Sequence, residues 1–225
     1  MFTFILQLIY PKQCCACKEA LLFGEEFICI ACLIAIPRYD FRQEKSNYLV
    51  EKFEDLPNLG QIYAFAWFTE QGKMQALMHQ IKYKGNVPLA HYMGKKFTRA
   101  FEKEFNEANF DVIVPIPLHP KRKRERGYNQ SEEIAKGMSF LLNIPIFSEG
   151  LIRSKYGDSL VNQNKINRFL QLEDSFEVLG AQFRDKHVLL VDDTLTTGAT
   201  CRAAAKKILE SGARKISIAS LAVVR

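Results

Sequence analysis

The chain has 225 residues, of which 48% are hydrophobic and 25% are charged. This composition excludes a largely disordered or collagen-like chain and suits one domain, or one domain with a small appendage. The 31 Lys and Arg residues outnumber the 25 Asp and Glu residues, which gives a net charge of +6. That excess favours an anionic partner, namely nucleic acid, a phosphorylated metabolite or a membrane surface, although a mildly basic solvated surface has the same charge.

The first ten residues are apolar except for Thr3 and Gln7, and Pro11 follows them directly. They have no basic start and no small-residue cleavage site, so they do not resemble a secretory signal. No stretch of the chain approaches the ~20 apolar residues of a membrane-spanning helix. We therefore expect a cytoplasmic protein without a transmembrane segment.

Five of the six cysteines lie close together, and four of them form two C-x-x-C pairs. Cys14 and Cys17 make the first pair, and Cys29 and Cys32 make the second. This spacing puts four thiolates within tetrahedral reach of one zinc ion. A segment of about 30 residues has too little core to fold without such a staple, so we predict a small structural zinc ribbon.

Three alternatives to zinc are a reduced cluster of buried cysteines, disulfides in an exported protein and a thioredoxin-like redox site. Nothing indicates export, and a redox motif expects a single pair inside a strand–helix–strand unit. Cys15 is a spare that could replace Cys14 as a ligand, although its spacing to Cys17 is less suitable. Cys201 lies far along the chain and is predicted to be a packed core thiol.

Residues 33–60 are predicted to be a connector, because they combine proline, glycine and a polar stretch. We therefore divide the chain into two parts. Residues 1–58 hold an N-terminal helix, the zinc ribbon and the connector, and residues 59–225 form the main domain. In that domain the periodicity of apolar residues predicts strands at 62–68, 112–114, 187–191 and 216–224, and helices at 73–83, 88–105, 129–142 and 199–211.

Alternating strands and helices predict an α/β fold with a mostly parallel sheet. The continuous apolar run at 187–191 is typical of a central strand that is buried on both faces. The helix at 129–142 is expected to begin with a capping box formed by Asn129 and Glu132. Its buried face is expected to consist of Ile134, Met138, Leu141 and Leu142.

Two acids, Asp192 and Asp193, follow the buried strand at its carboxyl end, which is where ligands bind in open α/β sheets. A loop of small residues comes next and opens onto a helix N-terminus. Free amides, hydroxyls and the helix dipole in such a loop favour a phosphate. The loop consists of Thr196, Thr197, Gly198, Ala199 and Thr200.

An acid pair followed by a phosphate loop suits a sugar phosphate, whose vicinal hydroxyls can bond the carboxylates. The stretch matches neither the P-loop nor the dinucleotide-binding glycine pattern. The alternative is that the acids form a turn and the threonines cap the helix. Adjacent acids after a buried strand are costly without partners, which disfavours that alternative.

The stretch 188–200 resembles the motif of type I phosphoribosyltransferases that binds phosphoribosyl pyrophosphate (PRPP), a hydrophobic strand followed by two acids and T-T-G-x-T. Other segments resemble signatures of the ComF/ComFC competence family, which also has the paired C-x-x-C ribbon. These segments are IKYKGN at 81–86, VPIPLH at 114–119 and RGYNQ at 126–130. The resemblance runs from about Ile9 to Val224 and implies a phosphoribosyltransferase-like, mostly parallel sheet flanked by helices, with an N-terminal zinc ribbon.

This resemblance also implies roles for individual residues. Asp192 and Asp193 would bond the ribose hydroxyls of PRPP, and the loop at 196–200 would hold its 5′-phosphate. The turn that contains Pro117 and His119 would be the pyrophosphate loop. Mg²⁺ would arrive with PRPP rather than being caged by protein. Catalysis would depend on positioning and on stabilising the charge of the leaving pyrophosphate.

The segment 121–126 carries five cations and one anion directly after that turn. Three interpretations are open. The segment is a solvated basic loop, it neutralises pyrophosphate through Arg122 or Arg126, or it contacts single-stranded nucleic acid through phosphate charge. Arg153 and Arg168 flank a polar segment at 153–168, which we predict to be a mobile active-site flap.

Two functions are compatible with this sequence. In the first, the protein binds PRPP with Mg²⁺ and transfers ribose 5-phosphate to an acceptor, whose pocket is expected within residues 60–110. In the second, the protein handles single-stranded DNA during DNA uptake in natural competence, with a regulatory or vestigial PRPP site. We favour the first as the molecular activity and the second as the process.

Overall fold

The computed structural model describes residues 11–40, 48–154 and 175–224. The predicted N-terminal helix, most of the predicted flap and Arg168 lie outside the described residues. Within them the helices are α1 (Ile30–Ile34), α2 (Tyr48–Glu51), α3 (Lys73–Tyr83), α4 (Val87–Ala100), α5 (Glu102–Ala108), α6 (Pro120–Arg126), α7 (Gln130–Leu142) and α8 (Ala199–Glu210). The strands are β1 (Leu59–Trp67), β2 (Val112–Pro115), β3 (Leu151–Arg153), β4 (Phe176–Val178), β5 (His187–Leu195) and β6 (Lys215–Val223).

The main sheet has four parallel strands in the order β1-β6-β5-β2, which confirms the predicted α/β fold with a parallel sheet. β5 is an inner strand between β6 and β2, and its residues 188–191 are fully buried. β3 and β4 form a separate antiparallel pair. Because all four main strands run the same way, their carboxyl ends meet at one edge of the sheet.

The acid pair lies within β5 rather than after it, because this strand continues to Leu195. Asp192 pairs with Ser220 of β6, and Leu195 pairs with Val223. The neighbouring strand β2 is shorter and ends where its Pro115 pairs with Val191. The carboxyl half of β5 therefore extends past β2, so Asp192 is opposite the turn that follows β2.

The helix predicted at 88–105 is two helices, because Phe101 leaves helical geometry at φ −126° and ψ 28°. Its ring packs against Tyr63 and Phe105, with ring centroids 5.7 and 5.9 Å apart. This aromatic packing on β1 ends α4 at Ala100, and α5 follows. Helix propensity alone gives no sign of the break.

The helix α7 matches the prediction closely but differs in two side chains. Asn129 caps it by accepting a hydrogen bond from Ser131 N at 3.2 Å. Glu132, predicted as the capping-box partner, lies 3.3 Å from Lys136 Nζ. Leu141, expected to be buried, is exposed, and it lies in the last turn of α7, where the helix ends.

Two glycines allow α4 and α7 to pack at very short range. A Cβ atom on Gly94 would lie 2.2 Å from the carbonyl oxygen of Ile134, and one on Gly137 would lie 2.1 Å from that of His91. Any side chain at these positions would force the helices apart. The contact sets the position of α7, whose first turn reaches the acid pair.

The cysteine-rich segment packs on the same face of the sheet as α3 and α4. Cys14, Ile28, Cys32 and Ile36 belong to one buried cluster with the side chains of these helices. On the other face, the core includes α8 and also Phe53, which follows α2 within the predicted connector. None of the described helices is long and apolar enough to cross a membrane.

Candidate active site at the carboxyl edge of the sheet

Asp192 is surrounded by hydrogen-bond donors from three directions. Its Oδ1 accepts from Ser131 Oγ at 3.1 Å and from the backbone N–H of Asp193 at 2.8 Å. Its Oδ2 accepts from Cys201 Sγ at 3.4 Å. Burial, followed by the neighbouring charge of Asp193, raises the pKa of the Asp192 carboxyl to about 6. The site therefore holds this carboxylate in place but makes its ionisation costly.

Asp193 has a cationic partner from a distant part of the chain. Lys82 Nζ lies 2.8 Å from Asp193 Oδ1 and also donates to Thr194 Oγ1 at 3.0 Å. Both side chains of the ion pair are mostly buried, with 21% and 12% of their area exposed. Such a pair is less screened by solvent than a surface ion pair.

The predicted phosphate loop forms a tight bend between β5 and the N-terminus of α8. Gly198 has a φ of +78°, and a Cβ atom on it would lie 2.9 Å from the ring of Phe53. Both observations favour glycine at this position. Thr197 Oγ1 accepts from the N–H of Ala199 at 3.3 Å, and Thr196 accepts a bond at its carbonyl from Lys52 Nζ at 2.9 Å.

A second turn lies beside the acid pair, at the end of β2. The N–H of Ile116 donates to the carbonyl of Val191 at 2.8 Å, and Asn129 Nδ2 donates to the carbonyl of Ile116 at 3.0 Å. Pro117 and His119 follow in this turn. The turn and the acid pair thus share the same edge of the sheet.

The basic segment is a helix, α6, and not the loop expected from the sequence. His119 Nδ1 accepts from the N–H of Lys121 at its start, Pro120 is its first residue, and Gly127 ends it with a φ of +80°. None of its residues is buried. Because successive residues of a helix point in different directions, the charged side chains of α6 are divided between two of its faces.

Each face of α6 lines a different cavity. One cavity, of about 540 Å³, lies between α6 and α3. The other, of about 830 Å³, lies between α6, the turn after β2 and the β3–β4 pair. The first contains Arg122 and Arg126, and the second contains Lys123, Arg124 and Arg153.

Arg153, at the end of β3, is a cation with unused hydrogen-bonding capacity. Its guanidinium lies 5.3 Å from the centre of the Phe176 ring. Its Nε is buried and has no partner among the described residues. Burial lowers the pKa of Arg153, while the charge of Asp192 acts in the opposite direction. The structure thus places this arginine within electrostatic range of the acid pair.

The four cysteines of the two pairs come together as the sequence predicts. The Sγ atoms of Cys14, Cys17, Cys29 and Cys32 all lie within 4.8 Å of one another. Those of Cys17 and Cys29 are 3.8 Å apart. Tetrahedral zinc with Zn–S bonds of ~2.3 Å needs sulfurs ~3.8 Å apart, so the set fits one metal ion.

Backbone amides stabilise the thiolate of Cys14 in this cluster. The N–H groups of Ala16 and Cys29 each lie 3.4 Å from Cys14 Sγ. Burial alone would raise the pKa of Cys14, but these bonds lower it to about 6. Cys15 is outside the cluster and accepts from Asn86 Nδ2 at 3.7 Å, so it does not replace Cys14 in the cluster.

A model of the phosphoribosyl transferase domain matches residues 90–225, which is more than half of the chain. The chain belongs to this family. The matched region contains β2, β5, the acid pair and the loop into α8. Lys82 and the cysteine cluster lie before it.

Curated relatives of this phosphoribosyltransferase-family chain include competence proteins and amidophosphoribosyltransferases. It is 29% identical over 158 residues to competence protein ComFC of Bacillus subtilis, and 30% identical over 114 residues to competence protein F of Haemophilus influenzae. It is also 27% identical over 141 residues to amidophosphoribosyltransferase of Haemophilus influenzae. These alignments cover 70%, 50% and 62% of this chain. They span 62%, 50% and 25% of the relatives.

Several residues around the acid pair have no role predicted from the sequence. Lys82 belongs to the IKYKGN segment, and Ser131 belongs to the start of a predicted helix. Lys52 and Phe53 were placed in a connector, and Cys201 in the core. Cys201 is buried as predicted, but it also donates to Asp192. The one available signal was Lys82, because that segment resembles a family signature.

The raised pKa of Asp192 predicts that this carboxylate lowers the stability of the free protein at neutral pH. The penalty on stability is complete above about pH 6 and declines as the pH falls from about 6 towards the ordinary carboxyl pKa of 3.8. Asp192→Asn should therefore raise the free energy of unfolding by up to about 2 kcal/mol near neutral pH, with a smaller gain at lower pH. Urea denaturation across this pH range measures the effect.

Asp111→Asn is the matched control, because it should change the free energy of unfolding in the opposite direction. A hydrogen bond from the backbone N–H of His187 and the charge of Arg214 lower the pKa of Asp111. This substitution should reduce stability at neutral pH and lose its effect in acid. If Asp192→Asn is destabilising at neutral pH, the electrostatic penalty assigned to Asp192 is wrong.

Proposed function

We propose that this protein binds PRPP with Mg²⁺ and transfers its ribose 5-phosphate to an acceptor, with release of pyrophosphate. One observation carries the proposal. Asp192 and Asp193 lie at the carboxyl edge of the sheet, directly before a glycine bend that opens onto the N-terminus of α8. Membership of the phosphoribosyltransferase family supports the same conclusion.

The acid pair suits the ribose and the bend suits the 5′-phosphate. Two carboxylates on one edge can accept hydrogen bonds from vicinal hydroxyls. The amides at the start of α8, together with Thr196, Thr197 and Thr200, can donate to a phosphate dianion. Gly198 leaves the backbone open to the ligand, because it has no Cβ. Ala199 contributes its backbone at the first position of the helix.

Mg²⁺ would supply positive charge to the pyrophosphate oxygens and would enter with the substrate. The residues proposed to hold pyrophosphate are Pro117 and His119 in the turn after β2 and the arginines Arg122, Arg126 and Arg153. Arg168 is proposed from its sequence position alone. The unpartnered Nε of Arg153 supports its assignment, because a buried donor without a partner is costly unless a ligand satisfies it.

In this reaction the bond between the anomeric carbon and the pyrophosphate oxygen breaks, and the electron pair leaves with pyrophosphate. The ribose ring becomes cationic as the acceptor's lone pair approaches. The protein's contribution is to hold the ring by its hydroxyls and to stabilise the leaving charge. The acceptor pocket is proposed within residues 60–110, which supply β1, α3 and α4.

We also propose that the four-cysteine cluster binds structural zinc. The four sulfurs fit tetrahedral coordination, and amide donors surround Cys14. The cluster packs into the core shared with α3 and α4, so a metal there would stabilise the domain as well as the ribbon. Six free cysteines suit a reducing compartment, and a cytoplasmic location stays a prediction.

Similarity to ComFC and competence protein F supports a role in DNA uptake. A contact with single-stranded DNA is favoured by α6, whose Lys121, Arg122, Lys123 and Arg124 are exposed. Such a contact would depend on phosphate charge. It is compatible with the PRPP site, because Lys123 and Arg124 are exposed and are not among the residues proposed to hold pyrophosphate.

Binding of PRPP tests the main proposal. Isothermal titration with Mg²⁺ should show saturable binding to the wild type. The double variant Asp192→Asn with Asp193→Asn should lose at least about 100-fold in affinity, because two charge-assisted bonds become weaker. Glu210→Gln, an exposed acid on α8, is the control and should bind normally. Absence of binding by the wild type, or unchanged binding by the double variant, would remove the proposal.

The zinc proposal predicts about one zinc ion per chain in the purified protein. Cys32→Ser should lose the zinc and lower the melting temperature by more than about 5 °C, since it removes a ligand from a buried cluster. Cys15→Ser should keep the zinc and the wild-type melting temperature, and it controls for the change from cysteine to serine. Elemental analysis and thermal unfolding measure the two quantities. A zinc-free wild type, or zinc retained by Cys32→Ser, contradicts the assignment.

The DNA contact predicts that affinity for an oligothymidylate falls steeply with salt. Lys123→Gln with Arg124→Gln should reduce the slope of log affinity against log salt by about 1.4, from two lost phosphate contacts. PRPP binding should be unchanged in this variant. Fluorescence anisotropy over a salt series provides the slope, and an unaltered slope would exclude these two side chains from a DNA interface.

A further inference from the structure

Lys82 contacts the same carboxylate that we assign to the ribose of PRPP. Its Nζ lies 2.8 Å from Asp193 Oδ1 and 3.0 Å from Thr194 Oγ1. A ribose hydroxyl bound to Asp193 would therefore meet a lysine already hydrogen-bonded there. The ion pair is a feature of the free protein that substrate must share or displace.

The backbone of Lys82 is held in place by α3, whereas its side chain is long and flexible. Lys82 lies in the last turn of α3, and the carbonyl of its neighbour Ile81 accepts a hydrogen bond from the Tyr128 hydroxyl. That bond ties the end of α3 to the segment between α6 and α7. The long, flexible side chain of lysine can redirect its ammonium group without moving the helix.

The cavity beside Lys82 is suited to an anion. It lies between α3 and α6, has a volume of about 540 Å³, and has three cations against one acid in its wall. A pyrophosphate group fits within this volume. The wall consists of Lys82, Tyr83, Gly85, Arg122, Glu125 and Arg126. Lys82 is the member of this set that also contacts the acid pair.

We propose that Lys82 is an exchangeable counter-ion that couples the ribose site to the pyrophosphate site. In the free protein it neutralises Asp193. When PRPP binds, its ammonium turns into the cavity between α3 and α6 and donates to pyrophosphate oxygens, which releases Asp193 for the ribose hydroxyls. The inference rests on the proposed function and adds a residue that contacts the leaving group.

This exchange gives the site a preference for PRPP over ribose 5-phosphate. When PRPP binds, its pyrophosphate replaces Asp193 as the anionic partner of Lys82. Ribose 5-phosphate offers no such partner, so it competes with the ion pair without compensation. During transfer the ammonium stabilises the negative charge that the departing pyrophosphate oxygen acquires.

Lys82→Gln separates this role from a purely structural one, because the two ligands respond differently. Affinity for PRPP should fall by about tenfold or more, from the loss of one charge-assisted hydrogen bond. Affinity for ribose 5-phosphate should stay the same or rise, because the competitor for Asp193 is gone. Titration calorimetry with each ligand and Mg²⁺ gives the two dissociation constants. The dissociation constant of ribose 5-phosphate divided by that of PRPP measures the preference for PRPP, and this ratio should fall by about tenfold or more.

Lys84→Gln is the matched control, since it removes the same charge from an exposed position two residues along. Its ratio of dissociation constants for ribose 5-phosphate and PRPP should equal that of the wild type. A Lys82→Gln variant that loses affinity for both ligands by one factor, or for neither, would overturn the exchange. Failure of the wild type to bind PRPP at all would instead overturn the proposed function. Lys82→Arg, which keeps the charge, should recover part of the ratio.

Discussion

Two adjacent carboxylates at the end of a buried strand are the constraint on which this site depends. An ionised carboxylate that leaves water needs donors or a cation, and here two such groups are neighbours. Asp192 takes its donors from α7, from α8 and from the backbone of Asp193, while Asp193 takes its cation from α3. Three helices therefore converge on one edge of the sheet around the two acids.

Close packing makes that convergence possible. The glycine pair between α4 and α7 brings the start of α7, and with it Ser131, within reach of Asp192. On the other face of the sheet, Phe53 packs under Gly198 and supports the bend before α8. The bend keeps a conformation that favours glycine. The raised pKa of Asp192 reflects the energetic cost of enclosing its carboxylate beside a second acid.

The cysteine-rich segment, through Cys15 beside the cluster, contacts the segment between α3 and α4. Asn86 caps α4 by accepting from the N–H of Leu89 at 3.1 Å, and its amide nitrogen reaches Cys15 Sγ at 3.7 Å. The rings of Phe27 and Tyr92 also join the ribbon to α4, 5.2 Å apart. Since Lys82 lies only four residues before Asn86, the ribbon helps to fix the helix end that carries the exchangeable lysine.

The sequence by itself determined what depends on neighbouring residues. These features are the parallel α/β alternation, the acid pair with the glycine-containing loop that follows it, and the two C-x-x-C pairs. Tertiary structure alone decided which side chains meet, because partners such as Lys82 and Thr194 are 112 residues apart and come together only through the strand order. It also ended α4 at Phe101, where aromatic packing on β1 outweighs helix propensity. Local patterns encode local geometry, whereas charge compensation across a sheet edge depends on packing between distant elements.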